Sequence, residues 1–215
     1  MTTNFVRVRA LLWAVLAFGA VLVQWYSIDR GTGAAYYTSM GNFFSYFTIE
    51  NNLMFGLWFL LRSLHPWKDW GGGIPAVRLS VTVYGMVTLL VYWSLLAATD
   101  HPEGIRFYAN LALHLVMPLA MLGEWFFDRP AKPATWGSWA WSLLVPALYC
   151  VYSLVRGAFT GWYPYFFINL PKLGWEMTAA YVAGLFGFFL ALAAGMGWVW
   201  NRLLVQNSGN QATAP

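Results

Sequence analysis

Residues 177–200 read MTAAYVAGLFGFFLALAAGMGWVW, a run of apolar and small side chains without a single charge. A transmembrane helix needs about 20 mostly apolar residues to cross the hydrocarbon core of a bilayer. Within lipid the backbone must satisfy its own hydrogen bonds, and a helix does so inside one segment. We therefore expect this stretch to be a membrane-spanning helix.

Five stretches upstream have the same apolar character and predict further spans. They lie at residues 10–26, 43–61, 79–98, 107–127 and 139–155. Together with residues 177–200 they predict an all-α integral membrane protein, a bundle of six transmembrane helices in one domain over residues 1–205. The last residues, 206–215, are small and polar, and we expect them to be disordered.

The composition supports a membrane protein. Of the 215 residues, 60% are hydrophobic and only 9% are charged, whereas a soluble domain carries about 25% charged residues. Such a chain lacks the polar side chains that a water-facing surface requires. The 14 Trp and 12 Tyr suit the two interfaces of a bilayer. We expect a multipass protein of the cell membrane.

The distribution of Lys and Arg predicts the orientation. One set of predicted loops and ends carries eight of these residues: Arg7, Arg9, Arg62, Lys68, Arg78, Arg129, Lys132 and Arg202. The opposite face carries the other four: Arg30, Arg106, Arg156 and Lys172. Because cytoplasmic loops are enriched in positive charge, both termini are predicted to lie in the cytoplasm.

Several classes of function are excluded or disfavoured. The basic residues are scattered between apolar segments, which indicates topology signals and no nucleic-acid partner. Cys150 is the only cysteine, so no internal disulfide and no CxxC site can form. The chain contains no HExxH, P-loop or GxGxxG motif. We expect no metal and no cofactor.

Polar side chains cluster at the start of the second predicted span. Ser45, Thr48 and Asn52 recur at i, i+3 and i+7 and would share one face of a helix, with Asn51 beside them. Glu50 would lie about 200° round the helix from Thr48, at about 100° per residue. This face is a candidate site, because polar groups at membrane depth are costly and often functional.

The fourth predicted span carries a second cluster, in which Asn110 and His114 are four residues apart on one face. Both spans enter from the same side of the membrane, and Thr48 and His114 differ in predicted depth by only ~3 Å. A hydroxyl and an imidazole at one level form the minimum pair for nucleophilic catalysis. The amides of Asn51 and Asn52 would be available to an oxyanion.

The same residues also have purely structural interpretations. An intramembrane histidine often ties helices together, and Ser and Thr often bond the backbone of their own helix or a neighbour. The asparagines would then serve as contacts between helices. No third residue that orients His114 is evident: Asn110 is the nearest candidate, and Asp100 in the outer loop is a more distant one.

Three short motifs resemble the androgen-induced and androgen-dependent membrane protein family, including its prokaryotic branch. They are Phe47-Thr48, the segment NLALH ending at His114 and followed by Pro118 and Glu124, and the segment GWYPYF at residues 161–166. The resemblance covers nearly the whole chain in length and six-span plan. It implies an intramembrane hydrolase of lipid esters, notably fatty acid esters of hydroxy fatty acids, with membrane lipid as its partner.

The resemblance implies Thr48 as the nucleophile and His114 as the general base. Ser45 is an alternative nucleophile if the match slips by three residues, and Asn51, Asn52 and Asn110 are candidates for polar support. Two other functions remain in competition with the hydrolase. The polar cluster would line a pocket in a small lipid-binding or transport protein, or only hold helices together in a structural subunit.

Overall fold

The computed structural model describes residues 2–28, 34–65, 75–127 and 132–212. Within these ranges the chain is all-helical, with 86% of residues in helices and no β-strand. The predicted fold class is confirmed to that extent.

The described residues form α-helices that are numbered here in chain order. They are α1 (Thr3–Tyr26), α2 (Ala34–Phe44), α3 (Phe47–Leu64), α4 (Pro75–Val91), α5 (Ile105–Leu111), α6 (Met117–Phe127), α7 (Trp136–Trp141), α8 (Leu144–Thr160) and α9 (Leu170–Ala212). A π-helical turn, Tyr92–Leu96, continues α4, and a second one, Ala112–Val116, joins α5 to α6. A short 3-10 turn, Phe166–Ile168, precedes α9.

Five helical segments among the described residues are long and apolar enough to cross a membrane. They are Thr3–Tyr26, Ala76–Leu96, Ile105–Phe127, Trp136–Thr160 and Leu170–Leu203. These lengths are compatible with a multipass membrane protein. The number of spans and the N-in/C-in orientation remain predictions, and Arg30, Lys68 and Arg129 lie outside the described residues.

The predicted second span, residues 43–61, differs most from its expected form. The chain leaves the helical conformation at Ser45 and Tyr46 between α2 and α3, and α3 has only 18 residues. The Ser45 hydroxyl donates to the Gly41 carbonyl (2.6 Å) at this break, a local bond that competes with helix continuation. Ser45 is therefore not on the helical face where the sequence pattern placed it.

The last helix is longer than its predicted span of residues 177–200. It is broken at Gly174, whose φ of 76° is a left-handed conformation that glycine adopts without strain. Beyond the span it continues to Ala212, into the segment predicted to be disordered, and residues 213–215 lie outside the description.

Among the described residues, two of the three buried apolar clusters pack the centre of the bundle. In the first, small residues of α1 (Ala10, Ala14) let α3 approach closely, so that Phe55 and Phe59 are fully buried. In the second, Val83 and Val87 of α4, with their neighbours, pack against Phe189 and Ala193 of α9. Helices α3, α4 and the α5–α6 pair therefore form the interior of the molecule.

One buried ion pair crosses this interior. Arg9 of α1 donates from Nη2 to Oε2 of Glu124 in α6 (2.8 Å), with side-chain exposures of 12% and 5%. Arg78 of α4 donates to the Glu124 backbone carbonyl (3.0 Å). Glu124 lies ten residues after His114, on the order of 15 Å along the helix axis. The pair is thus a feature separate from the polar cluster around His114.

Candidate active site

Thr48 and His114 meet inside the bundle. Thr48 is the second residue of α3 and is buried, and His114 is the central residue of the π-helical turn Ala112–Val116. The Thr48 Oγ1 and His114 Nε2 atoms are 3.2 Å apart. The structure thus brings together the two side chains that the depth comparison placed at one level.

The partner of the other ring nitrogen defines the tautomer of His114. Its Nδ1 lies 3.1 Å from the backbone carbonyl oxygen of Asn110. A carbonyl only accepts hydrogen bonds, so Nδ1 carries the proton in the neutral ring. The lone pair of Nε2 then faces Thr48, and the Thr48 hydroxyl donates to it. This is the arrangement in which a histidine accepts a hydroxyl proton.

Two π-helical turns shape the site. A π turn interrupts the regular ladder of helix hydrogen bonds, and such turns are frequent at functional sites. One turn begins at Tyr92 and the other contains His114. Their rings stack face to face, with centroids 3.7 Å apart and an interplanar angle of 20°. The imidazole is therefore held on its face by Tyr92 and at its edge by the Asn110 carbonyl.

Asp100 is hydrogen-bonded to both residues that hold the imidazole, Tyr92 and Asn110. It lies between the turn that follows Tyr92 and the start of α5. Its Oδ2 accepts hydrogen bonds from the Tyr92 hydroxyl (3.0 Å) and from Nδ2 of Asn110 (3.0 Å). Its Oδ1 accepts a longer bond from Nη2 of Arg106 (3.3 Å). The Asn110 side chain thus contacts Asp100, while the Asn110 backbone contacts His114.

The other predicted site residues have different partners. Ser45 is bonded to the Gly41 carbonyl and to the Tyr152 hydroxyl (2.7 Å), so its hydroxyl does not meet His114. Asn52 donates to the backbone carbonyls of Thr48 (2.8 Å) and Leu113 (3.1 Å). Asn52 thereby connects α3, which carries the Thr48 hydroxyl, to the turn Ala112–Val116, which carries the His114 imidazole.

Asn51 is also engaged away from the Thr48 hydroxyl. Its amide nitrogen donates to the Thr88 hydroxyl of α4 (3.1 Å). Asn51 thus donates one hydrogen bond to a protein acceptor and Asn52 donates two, and neither residue lines the two cavities beside Thr48. In this arrangement they position helices, and neither amide is aimed at the space beside the Thr48 hydroxyl.

Two cavities meet at Thr48. The more polar of the two, of about 400 Å³, is lined by Thr48, His114 and Asp100, among others. An apolar crevice of about 80 Å³ also borders Thr48 and is lined by residues of α3, α4, α8 and α9. Tyr92 and Tyr165 line both spaces. Thr48 therefore lies where a more polar space and an apolar space adjoin.

Tyr165 is a site residue that the analysis of individual spans missed. Gly161 ends α8 in a left-handed conformation (φ 70°), and the following segment turns back and places Tyr165 against Thr48. Burial raises the pKa of Tyr165 to about 12, and hydrogen bonding with Thr48 opposes this rise. The hydroxyl therefore remains a proton donor at neutral pH. The only signal in the sequence was the motif GWYPYF.

The described residues contain no group of three or more His, Cys, Asp or Glu side chains that could hold a metal ion.

None of the known protein-family models, curated proteins or solved structures matches this chain.

Proposed function

We propose that this protein is an intramembrane hydrolase of lipid esters, in which Thr48 is the nucleophile and His114 the general base. The single observation that carries the proposal is the 3.2 Å contact between Thr48 Oγ1 and His114 Nε2. The bond from Nδ1 to the Asn110 carbonyl supports it, because this bond leaves Nε2 free to accept a proton. The resemblance in sequence favours the same pair.

In the first half of the reaction, Nε2 of His114 takes the proton of the Thr48 hydroxyl as Oγ1 attacks the ester carbonyl carbon. The bond from that carbon to the alcohol oxygen then breaks, and the alcohol leaves with the proton from Nε2. In the second half, water attacks the acyl-threonine and gives its proton to Nε2. The fatty acid leaves as Oγ1 recovers that proton, so the net reaction consumes one water.

Tyr165 is the side chain best suited to stabilise the negative charge on the carbonyl oxygen. It lines both spaces that meet at Thr48 and interacts with Thr48 directly. A hydrogen-bond donor aimed at a developing oxyanion is often among the larger contributions to catalysis. Because Asn51 and Asn52 donate to acceptors in other directions and line neither space, Tyr165 replaces them in this role.

The two cavities support a lipid ester as the substrate. The crevice is lined mainly by apolar side chains, including Val182 and Phe186 of α9 and Cys150 of α8, and it suits the carbons of an acyl chain nearest the ester. The larger, more polar cavity suits the alcohol part of the ester and the water that follows. We further propose a cell-membrane location with both termini in the cytoplasm, which would put Thr48 near the outer leaflet.

The proposal is tested by covalent labelling of purified protein with a lipid-like fluorophosphonate. We expect a bond between Thr48 Oγ1 and phosphorus, with loss of fluoride, located by mass spectrometry of the labelled peptide. Labelling is expected to disappear in Thr48→Val and His114→Gln. It is expected to persist in Ser45→Ala, because Ser45 is bonded to Gly41 and Tyr152.

Each other result rejects the assignment in a specific way. A label on Ser45 would show that the alternative residue is the nucleophile. No label and no turnover, together with a lipid that copurifies with wild-type protein and with Thr48→Val, would indicate a lipid-binding protein. A fall in thermal stability of His114→Gln, with no activity to lose, would indicate a structural role.

The acyl crevice leads to a prediction about substrate length. Val182→Trp is expected to fill the crevice and to lower kcat/KM for palmitoyl esters by about tenfold, a plausible effect of lost apolar contacts in a binding pocket. Hydrolysis of acetyl esters should stay within about twofold, since a short acyl group does not need that space. Leu190→Trp is the matched control, because Leu190 lies on the same helix and is exposed. Equal losses for both esters would argue against an acyl chain in this crevice.

A further inference from the structure

The carboxylate of Asp100 is linked to His114 by two separate routes. The first runs through the Tyr92 hydroxyl (3.0 Å) to the Tyr92 ring, which stacks on the imidazole. The second runs through the Asn110 side chain (3.0 Å) to the Asn110 carbonyl, which holds the Nδ1 proton. Both donors converge on one oxygen, Oδ2. Asp100 itself has no hydrogen bond to the imidazole.

The charge of Asp100 also suits the chemistry of the base. When Nε2 takes a proton, His114 becomes a cation, and the Asp100 carboxylate is close enough to interact with that charge. Arg106 is the other charged group bonded to Asp100, through Oδ1, and it offsets part of this effect. The side chain of Asp100 is 29% exposed, so solvent screens the interaction further.

We propose that Asp100 is a positioning residue for His114: it fixes the ring through Tyr92 and Asn110 and favours the tautomer with its proton on Nδ1. The proposal rests on the proposed function for its catalytic consequence, but its structural consequence can be measured without turnover. Asp100 thus orients the histidine through Tyr92 and Asn110, whereas in a serine-type triad a carboxylate bonded directly to the histidine does so.

The kinetic test compares two acid-to-amide changes in one loop. Asp100→Asn is expected to lower kcat for a lipid ester by about 10- to 100-fold, by analogy with the range found when hydrogen-bond partners of metal-bound histidines are removed. KM should stay within about twofold, since Asp100 acts on the base. Glu103→Gln is the matched control, because Glu103 is exposed and is not among the residues around Thr48. We expect its kcat to remain within about twofold of wild type.

The second measurement reports the tautomer of His114 directly. Protein labelled with ¹⁵N-histidine is examined by NMR in detergent, and the His114 signals are assigned by their loss in His114→Gln. Wild type is expected to show Nδ1 protonated and Nε2 unprotonated. In Asp100→Asn we expect a mixture of both tautomers. Tyr92→Phe keeps the stacked ring and removes the hydroxyl that donates to Asp100, so it should shift the tautomer ratio by a smaller amount. This variant replaces Asp100→Asn in the test if Asp100→Asn does not fold.

The tautomer decides the outcome. An unchanged tautomer in Asp100→Asn, or in Tyr92→Phe if that variant must stand in, overturns the proposal whatever happens to kcat. A loss of kcat in Glu103→Gln equal to that in Asp100→Asn overturns it as well. If wild type hydrolyses no ester, the proposed function fails, but a tautomer change in Asp100→Asn still supports the positioning role.

Discussion

His114→Gln is expected to lower the rate constant for lipid-ester hydrolysis by roughly a thousandfold, within the range attributed to general acid–base catalysis. The change removes the nitrogen that accepts the Thr48 proton, and a glutamine amide is not basic enough to replace it. Thr48→Val, which keeps the size of the side chain but loses the hydroxyl, should reduce hydrolysis to the background. The measurement is release of fatty acid by purified protein in detergent or in vesicles, with substrate well above KM.

The double variant, which combines Thr48→Val with His114→Gln, distinguishes a loss of catalysis from a loss of folding. Because Thr48 and His114 act in one step, the combined change should cost little more than either single change. Thermal unfolding of all three proteins should remain close to that of wild type, and Ser45→Ala should keep its activity. Retention of more than a tenth of the activity by His114→Gln would mean that the imidazole is not the base.

The sequence was most informative where hydrophobicity decides the structure. The uncharged run at residues 177–200 lies within the long helix α9, and four more apolar runs coincide with segments long enough to cross a membrane. Residues 43–61 do not form one continuous apolar helix long enough to cross a membrane. The polar residues of this run lower its mean hydropathy, and it is broken at Ser45 and Tyr46.

The site could be predicted only in part, for two physical reasons. Depth along a helix follows from counting residues, and this arithmetic placed Thr48 and His114 at one level. The direction in which a side chain points does not follow from residue counting where a helix is irregular. The break at Ser45 and the π turn at Ala112–Val116 both change the rotation between residues. A helical-face argument for Ser45 therefore failed.

A single sequence does not show which distant segments of the chain come into contact. Tyr92 stacks on His114 across 22 positions of the chain, and Tyr165 reaches Thr48 only because Gly161 ends α8. Asp100 lies in a loop, where its carboxylate could equally have been a surface charge. Its two bonds to Tyr92 and Asn110 depend on the folded position of that loop.

Glu124→Ala is expected to lower the free energy of unfolding by about 3–5 kcal/mol, the cost of removing one partner of a buried ion pair. Arg9 would retain a guanidinium that is only 12% exposed, packed over the Phe127 ring, without the carboxylate that now accepts its bond at 2.8 Å. The Glu124 carboxylate then no longer offsets the desolvation of that charge. Chemical denaturation in detergent, followed by tryptophan fluorescence, measures the difference.

The ion pair between Arg106 and Asp100 supplies the comparison for this prediction. Their side chains are 40% and 29% exposed and 3.3 Å apart, so Arg106→Gln should cost no more than about 1 kcal/mol. Because Glu124 lies on the order of 15 Å from His114 along the helix, the folded fraction of Glu124→Ala should keep kcat within about twofold. A loss of stability equal to that of Arg106→Gln would show that solvent or nearby groups replace the carboxylate, and that burial of this pair does not hold α1 against α6.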